Sequence, residues 1–308
     1  MSENMGAERL SDQLKDAPTV VQLVMTNACN LNCSFCGGRF YMQDADGETI
    51  ESTDPDTHFD NLLAVIKDNP QVTEINWTGG EPLLAYRRIK EWFEIVKGVR
   101  PELTHCLMTN GLRLRMDMLD VLKQFDRITV SFDGYRESER PVWAVVEERK
   151  FEVFEVLSHL RNWRVITVLT RERVGDKRWH EDIIEMHNAL HHLRPMAMNF
   201  MLDTHMTKPL SPDHCLNLVY GYRAASVNLT RLNDQAGYMS HTGFERIFDD
   251  YGCNLCSEVV IVGADGTVKQ SENVPQLIDK GCNQLAAAIG VDAYQYLQKF
   301  LAQGRRVR

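Results

Sequence analysis

The 308-residue chain carries 34 Lys and Arg against 43 Asp and Glu, a net charge of −9 that speaks against a broad electrostatic grip on nucleic acid and leaves room only for a local basic groove. Its 44% hydrophobic and 25% charged residues are those of an ordinary globular protein, long enough for one large domain and a smaller appendage. No apolar run approaches the roughly 20 residues that span a bilayer, so no membrane partner is expected.

Met1 to Pro18 is polar and acidic with no signal-peptide core, a short N-terminal extension on a chain expected in the cytoplasm, where thiols stay reduced. A strand is predicted at Val20–Thr26, followed by a cysteine-bearing loop and a polar, Gly- and Asp-containing stretch, Arg39–Asp54. Strands and helices then alternate. The helices are Pro55–Asp68, Tyr86–Gly98, Arg113–Gln124, Val145–Asn162 and Trp179–Leu193, each with apolar residues at i, i+3, i+4 spacing. The strands between and after them are Val72–Thr78, Leu103–Thr109, Arg127–Phe132, Arg164–Thr170 and Pro195–Leu202, near-continuous apolar or β-branched runs of the kind buried in parallel sheets. Six βα units with right-handed crossovers predict an α/β fold, a partial (β/α)6 TIM-like barrel over residues 19–210. The pattern changes near Leu210–Pro212. Residues 211–308 are expected to form a smaller C-terminal α+β domain, with helices at Asp213–Asn228 and Val291–Gln303. Between these lies the β-like stretch Val259–Val268, with a hairpin turn at Ala264-Asp265-Gly266-Thr267.

Cys29, Cys33 and Cys36 follow the first strand as C-x3-C-x2-C. Iron–sulfur cubanes are normally held by four thiolates, so three with no fourth nearby suggest a cluster with one iron open to a small molecule. Zinc, usually in a closed tetrahedral site, is the alternative. Other candidate residues also fall at strand ends. Gly79-Gly80-Glu81-Pro82 follows the second strand, Asn110-Gly111 the third, and Ser131 and Asp133 close the fourth. Catalytic groups of such barrels belong at the carboxyl ends of the strands.

The stretch Asn27 to Cys36, with Phe35 before its third cysteine, resembles the signature loop of the radical S-adenosylmethionine (SAM) enzymes. Thr78 to Pro82 resembles the GGEP motif of that family. Thr109-Asn110-Gly111 and Ser131-Phe132-Asp133-Gly134 resemble its TNG and S-x-DG strand ends, and the likeness runs over about residues 19 to 202. It implies a 4Fe–4S cluster ligated by the three cysteines, with SAM on the fourth iron, reductive cleavage of SAM, and hydrogen abstraction from a substrate. It further implies that Gly79 and Gly80 allow close backbone approach to the SAM amino group, with Glu81 accepting a hydrogen bond or orienting the loop. Ser131 and Asp133 are suited to the ribose or the charged groups of SAM, and Arg140, or alternatively Arg136, to its carboxylate. Backbone at Val168–Thr170 and Asn199–Met201 would edge the adenine. Plain strand-to-helix turns are the alternative for the Gly79 and Asn110 motifs.

Cys253 and Cys256 form a CxxC, and Cys282 lies further on. With the Asp265-Gly266-Thr267-Val268 turn, this region resembles the SPASM or twitch modules behind many radical SAM barrels, which implies a second, auxiliary 4Fe–4S cluster. The cysteine expected near Gln270 is absent; Cys282 stands in for it, and Cys215, His214 or His241 are candidates for a fourth ligand. Zinc, or an unmetallated CxxC, is the alternative. Cys215 is also the candidate catalytic thiol, a hydrogen-atom donor to a substrate radical. Cys106 reads as packing, and His187 with His191 as a partly exposed polar helix face. The resemblance implies a peptide, amino-acid or sugar-like substrate undergoing epimerisation, dehydrogenation or bond formation, and an electron donor such as flavodoxin or ferredoxin. Modification of a nucleoside or nucleic acid is a second reading. A non-catalytic zinc or iron–sulfur scaffold is the third.

Overall fold

The computed structural model describes residues 19–36, 55–135, 138–141, 152–202, 259–264 and 267–270, with scattered positions between 210 and 224. It falls into two compact units, Met1–Leu31 with Gly38–Leu107 and Asn254–Asn273, and Asn32–Gly37 with Met108–Cys253 and Val274–Arg308.

The first unit is built on β1 (Val20–Val24), β2 (Glu74–Thr78), β3 (Thr104–Thr109), β7 (Val259–Val262) and β8 (Val268–Gln270), in the order β3-β2-β1-β7-β8. The first four are parallel, with Val20 opposite both Glu74 and Val259, and Glu74 opposite Thr104. β8 returns antiparallel, pairing Val262 with Val268, and Gly263 N–H closes the expected turn on Thr267 O at 2.8 Å. The hairpin from the C-terminal part of the chain thus extends the sheet at β1.

Helix α1 (Pro55–Asp68) starts on proline, whose fixed φ suits a first turn, and buries His58, Leu62, Val65 and Ile66 at helical spacing. Helix α2 (Tyr86–Val99) likewise buries Ile89, Trp92, Phe93 and Val96. It ends before Pro101, where Arg100 N–H bonds back to Val96 O at 2.8 Å. The Arg100 guanidinium donates to the carbonyls of Ile66 and Val72, at 2.6 and 3.0 Å, satisfying acceptors where α1 runs out. Trp77 and Phe93 are fully buried, and the Trp77 indole N–H donates to His105 Nδ1 at 3.1 Å, so this buried indole keeps a partner. Cys106 is buried in β3, as packing requires.

The second unit holds β4 (Arg127–Ser131), β5 (Trp163–Leu169) and β6 (Met198–Leu202), all parallel, in that order. In β5, Trp163, Val165, Thr167 and Leu169 are buried while Arg164, Ile166 and Val168 are half-buried, an alternation rather than the two-faced burial expected. The helix expected at Arg113–Gln124 is reduced to a 3-10 turn (Met116–Met118) and one turn of α3 (Leu119–Leu122). Arg115 just before it is extended and pairs with Asp117 instead of joining the helix. Residues 152–159 form α4, inside the expected Val145–Asn162.

Helix α5 (Arg171–Gly175) was not anticipated: five residues are too few to show a periodicity. It is capped by Thr170, whose hydroxyl accepts from Arg173 N–H at 3.2 Å. Helix α6 (Trp179–Leu190) stops short of Leu193, the last residues tightening into a 3-10 turn that ends on left-handed Arg194 (φ 55°). Among the described residues no helix is long and apolar enough to cross a membrane.

Candidate active site

In the first unit, the root of the cysteine loop and the Gly79-Gly80-Glu81 turn are tied backbone to backbone. Met25 N–H donates to Thr78 O, Gly80 N–H to Thr26 O and Glu81 N–H to Ala28 O, at 2.8, 2.8 and 2.9 Å. The glycines are needed for this approach. Gly79 sits at φ +138°, and a Cβ there would lie 2.4 Å from Thr26 O; one at Gly80 would lie 2.2 Å from Ala28 O. Their visible work is therefore to seat the segment that ends one residue before Cys29. Glu81 is fully buried and its Oε1 accepts from Leu83 N–H at 3.1 Å, capping the 3-10 turn Pro82–Ala85. The hydrogen bond on this carboxylate is thus a local one, made to the turn that follows it. Cys29 is exposed, and its Sγ accepts from Leu31 N–H at 3.4 Å.

In the second unit, Cys33 and Cys36 flank a turn closed by Cys36 N–H on Cys33 O at 3.2 Å. Ser34 donates its N–H and its hydroxyl to the Glu139 carboxylate, and the Arg140 guanidinium stands 4.8 Å from the centre of the Phe35 ring. Arg140 forks onto Asp133, Nε to Oδ2 at 2.6 Å and Nη2 to Oδ1 at 2.7 Å. Asp133 also accepts from Val168 N–H at 2.8 Å, and its own N–H donates to Arg140 O at 3.0 Å. The two residues expected to meet separate parts of SAM are thus first of all partners of each other. Burial works against the Arg140 charge, yet the hydrogen bonds and charge of Asp133 hold its pKa above the ordinary arginine value. Burial also pushes the Cys33 thiol up to about 11; Arg140 pulls it down, while Asp133, Glu139 and Cys36 add to the rise. Such a thiol keeps its proton until a metal displaces it.

At the end of β3, Asn110 Oδ1 accepts from Leu112 N–H at 3.0 Å and Thr109 Oγ1 from Gly111 N–H at 3.1 Å, two local bonds that shape the turn, with Gly111 at φ +81°. Ser131 is buried at the end of β4. Gly134 packs under a half-buried ion pair, Arg173 to Asp182 at 2.6 Å; Asp182 also accepts from Tyr135 N–H at 3.1 Å. A Cβ at Gly134 would stand 2.0 Å from Asp182 Oδ2.

A cavity of about 390 Å³ in this unit is walled by Phe35, Asp133, Val168 and Thr170, which the sequence singles out, together with Arg173, Trp179 and Asp182, which it does not. Single residues on helices belong to no motif, and only the Gly of S-x-DG hints that something packs closely there. Arg136, Cys215, His241, Cys253, Cys256 and Cys282 lie outside the described residues. Next to Cys215, His214 bonds with Ser211, and Asn217 ties the segment to α5 and α6, through its Nδ2 to Gly175 O at 3.1 Å and its carbonyl to Trp179 Nε1–H at 3.1 Å.

Among the described residues no three His, Cys, Asp or Glu are already drawn together as a metal-ion site. Cys29, Cys33 and Cys36 are nevertheless thiols outside any disulfide, exposed or half-exposed, on a loop seated at Ala28 and held at Ser34 and Phe35. Soft thiolates on a loop that closes with its metal suit an iron–sulfur cluster.

The chain is 25% identical over 188 residues to GTP 3′,8-cyclase of Mycobacterium marinum, covering 60% of this chain and 50% of that protein. It is 28% identical over 116 residues to FeMo cofactor biosynthesis protein NifB of Herbaspirillum seropedicae, covering 36% and 22%. It therefore spans half or less of the length of these curated relatives. The solved structure of native anSMEcpe with bound AdoMet and Cp18Cys peptide shares the fold, with a TM-score of 0.59 at 15% identity, covering 91% of this chain and 83% of that one. Residues 23–193 match the Radical SAM superfamily, more than half of the sequence, and the chain belongs to that superfamily of enzymes.

Proposed function

We propose that this enzyme cleaves SAM reductively at a 4Fe–4S cluster held by Cys29, Cys33 and Cys36, and abstracts a hydrogen atom from a peptide, amino-acid or sugar-like substrate. The carrying observation is the cavity in which Phe35, from the turn between two cysteines, meets Asp133, Val168 and Thr170. The cluster and SAM together supply one-electron chemistry that no side chain can, leaving binding and orientation to the protein. Phe35 offers an apolar ring to the nucleoside, and the edge of β5 at Val168 and Thr170 offers backbone groups to the adenine. Asp133 holds Arg140 in place; the fork uses two of five guanidinium donors and leaves others for an anionic group such as the SAM carboxylate.

In this reading residues 19–210 form the partly closed barrel, residues 211–308 a SPASM- or twitch-like module, and Cys253, Cys256 and Cys282 hold an auxiliary 4Fe–4S cluster. Cys215 is the thiol hydrogen donor, flavodoxin or ferredoxin the reductant, and a reducing cytoplasm the setting. Support for a peptide substrate is the likeness in fold to anSMEcpe, whose structure contains a bound peptide. A nucleotide is the second reading, favoured by the similarity to GTP 3′,8-cyclase. Anaerobically reconstituted protein should carry about seven to eight irons. With dithionite and SAM it should release 5′-deoxyadenosine, and Cys33→Ala should not; undiminished product from that variant would overturn the assignment. Stimulation of SAM cleavage by GTP and not by peptides would select the second reading.

A further inference from the structure

The turn between Cys33 and Cys36 is held at both of its central residues. Arg140 lies over Phe35, but it is itself fixed by Asp133 and so belongs to the framework at the ends of β4 and β5. Glu139 is different. It is exposed, it belongs to no motif, and its two carboxylate oxygens are both engaged by one residue, Ser34, through the backbone N–H and the hydroxyl. Two donors of one serine aimed at two oxygens of one carboxylate leave that serine a single orientation. Ser34 follows Cys33 directly, and Cys36 N–H closes on Cys33 O. Orienting Ser34 therefore orients the backbone that carries both thiols. The same contact places a negative charge beside the turn.

We propose that Glu139 is a positioning residue for the cluster loop: it holds Ser34 so that Cys33 and Cys36 are presented together, and its charge acts on the cluster they bind. The inference rests on the metal-binding role proposed above for these cysteines. Glu139→Gln keeps an acceptor oxygen and loses the charge, Glu139→Ala loses both, and Ser34→Ala removes only the hydroxyl.

Two measurements on the full chain test it. In reduced, iron-free protein, alkylation of Cys33 and Cys36 followed by mass spectrometry should run about threefold to tenfold faster in Glu139→Ala than in wild type, the range expected for losing a solvent-exposed hydrogen bond of ordinary strength. Ser34→Ala should move the same way by less, which guards against misfolding of the stronger variant. In reconstituted protein, Glu139→Gln should shift the cluster reduction potential to more positive values, because the reduced cluster is the more negative state. A glutamate that merely supported the fold would leave that potential in place. Wild-type alkylation rates in both Glu139→Ala and Ser34→Ala, or an unshifted potential in Glu139→Gln, would overturn the proposal. Failure of wild-type protein to load iron would instead sink the proposed function, and the alkylation measurement would still decide on Glu139.

Discussion

Adding a single methyl group at Gly80 tests whether the glycine turn seats the cysteine loop. A Cβ there would stand 2.2 Å from Ala28 O, 2.6 Å from Ala28 C and 2.8 Å from Asn27 O. All three are backbone atoms and cannot swing aside as a side chain would. Relief requires the loop root to move, stretching the bonds from Gly80 N–H to Thr26 O and from Glu81 N–H to Ala28 O, now 2.8 and 2.9 Å. Weakening two backbone hydrogen bonds costs about 1–3 kcal/mol and over-packing about 1–3 kcal/mol, so Gly80→Ala should lose about 2–6 kcal/mol. That is a large part of the roughly 5–15 kcal/mol that holds a domain folded. Gly98→Ala is the matched control: it lies in α2, its Cβ would meet nothing within 4 Å, and it should gain about 0.5–1 kcal/mol through helix propensity. Urea unfolding of the iron-free proteins under reducing conditions gives both midpoints. Because Ala28 directly precedes Cys29, Gly80→Ala should also load less iron than Gly98→Ala. Equal midpoints for the two variants would refute the close-approach argument.

Asp133→Ala strands the Arg140 guanidinium, whose side chain is 15% exposed against 2% for Asp133, and should cost about 3–5 kcal/mol, read as a lower unfolding midpoint. Asp133→Asn, which keeps an acceptor, should lose less; a wild-type midpoint for the alanine variant would contradict the buried pairing. Thr170→Ala removes the cap of α5 and should lose about 1 kcal/mol in the same assay. Arg178→Ala breaks an ion pair with Glu181 whose side chains are 75% and 49% exposed, and should leave the midpoint unchanged at physiological salt.

Much of the framework is legible because it follows from local chemistry. Buried positions 58, 62, 65 and 66 mark α1; strands β1 to β4 and β6 each lie within a predicted apolar run, and β5 begins one residue ahead of its own. Where local signals run out, so does the reading. α5 has no room for a period. Arg115 looks like a helix residue until its pairing with Asp117 is seen. The pairing of β7 with β1 joins segments far apart in the chain, and nothing in either strand names its neighbour.

By itself the amino-acid sequence determined the cysteine spacing, the strand-end motifs and the alternation of strand and helix, since these depend only on residue identity and short-range periodicity. Tertiary structure alone decided that Gly79 and Gly80 press on the backbone of Thr26 and Ala28, that Asp133 and Arg140 bind each other, and that Glu139 grips Ser34. Each of these is a contact between segments brought together only by folding, where sterics and desolvation, rather than propensity, choose the partner.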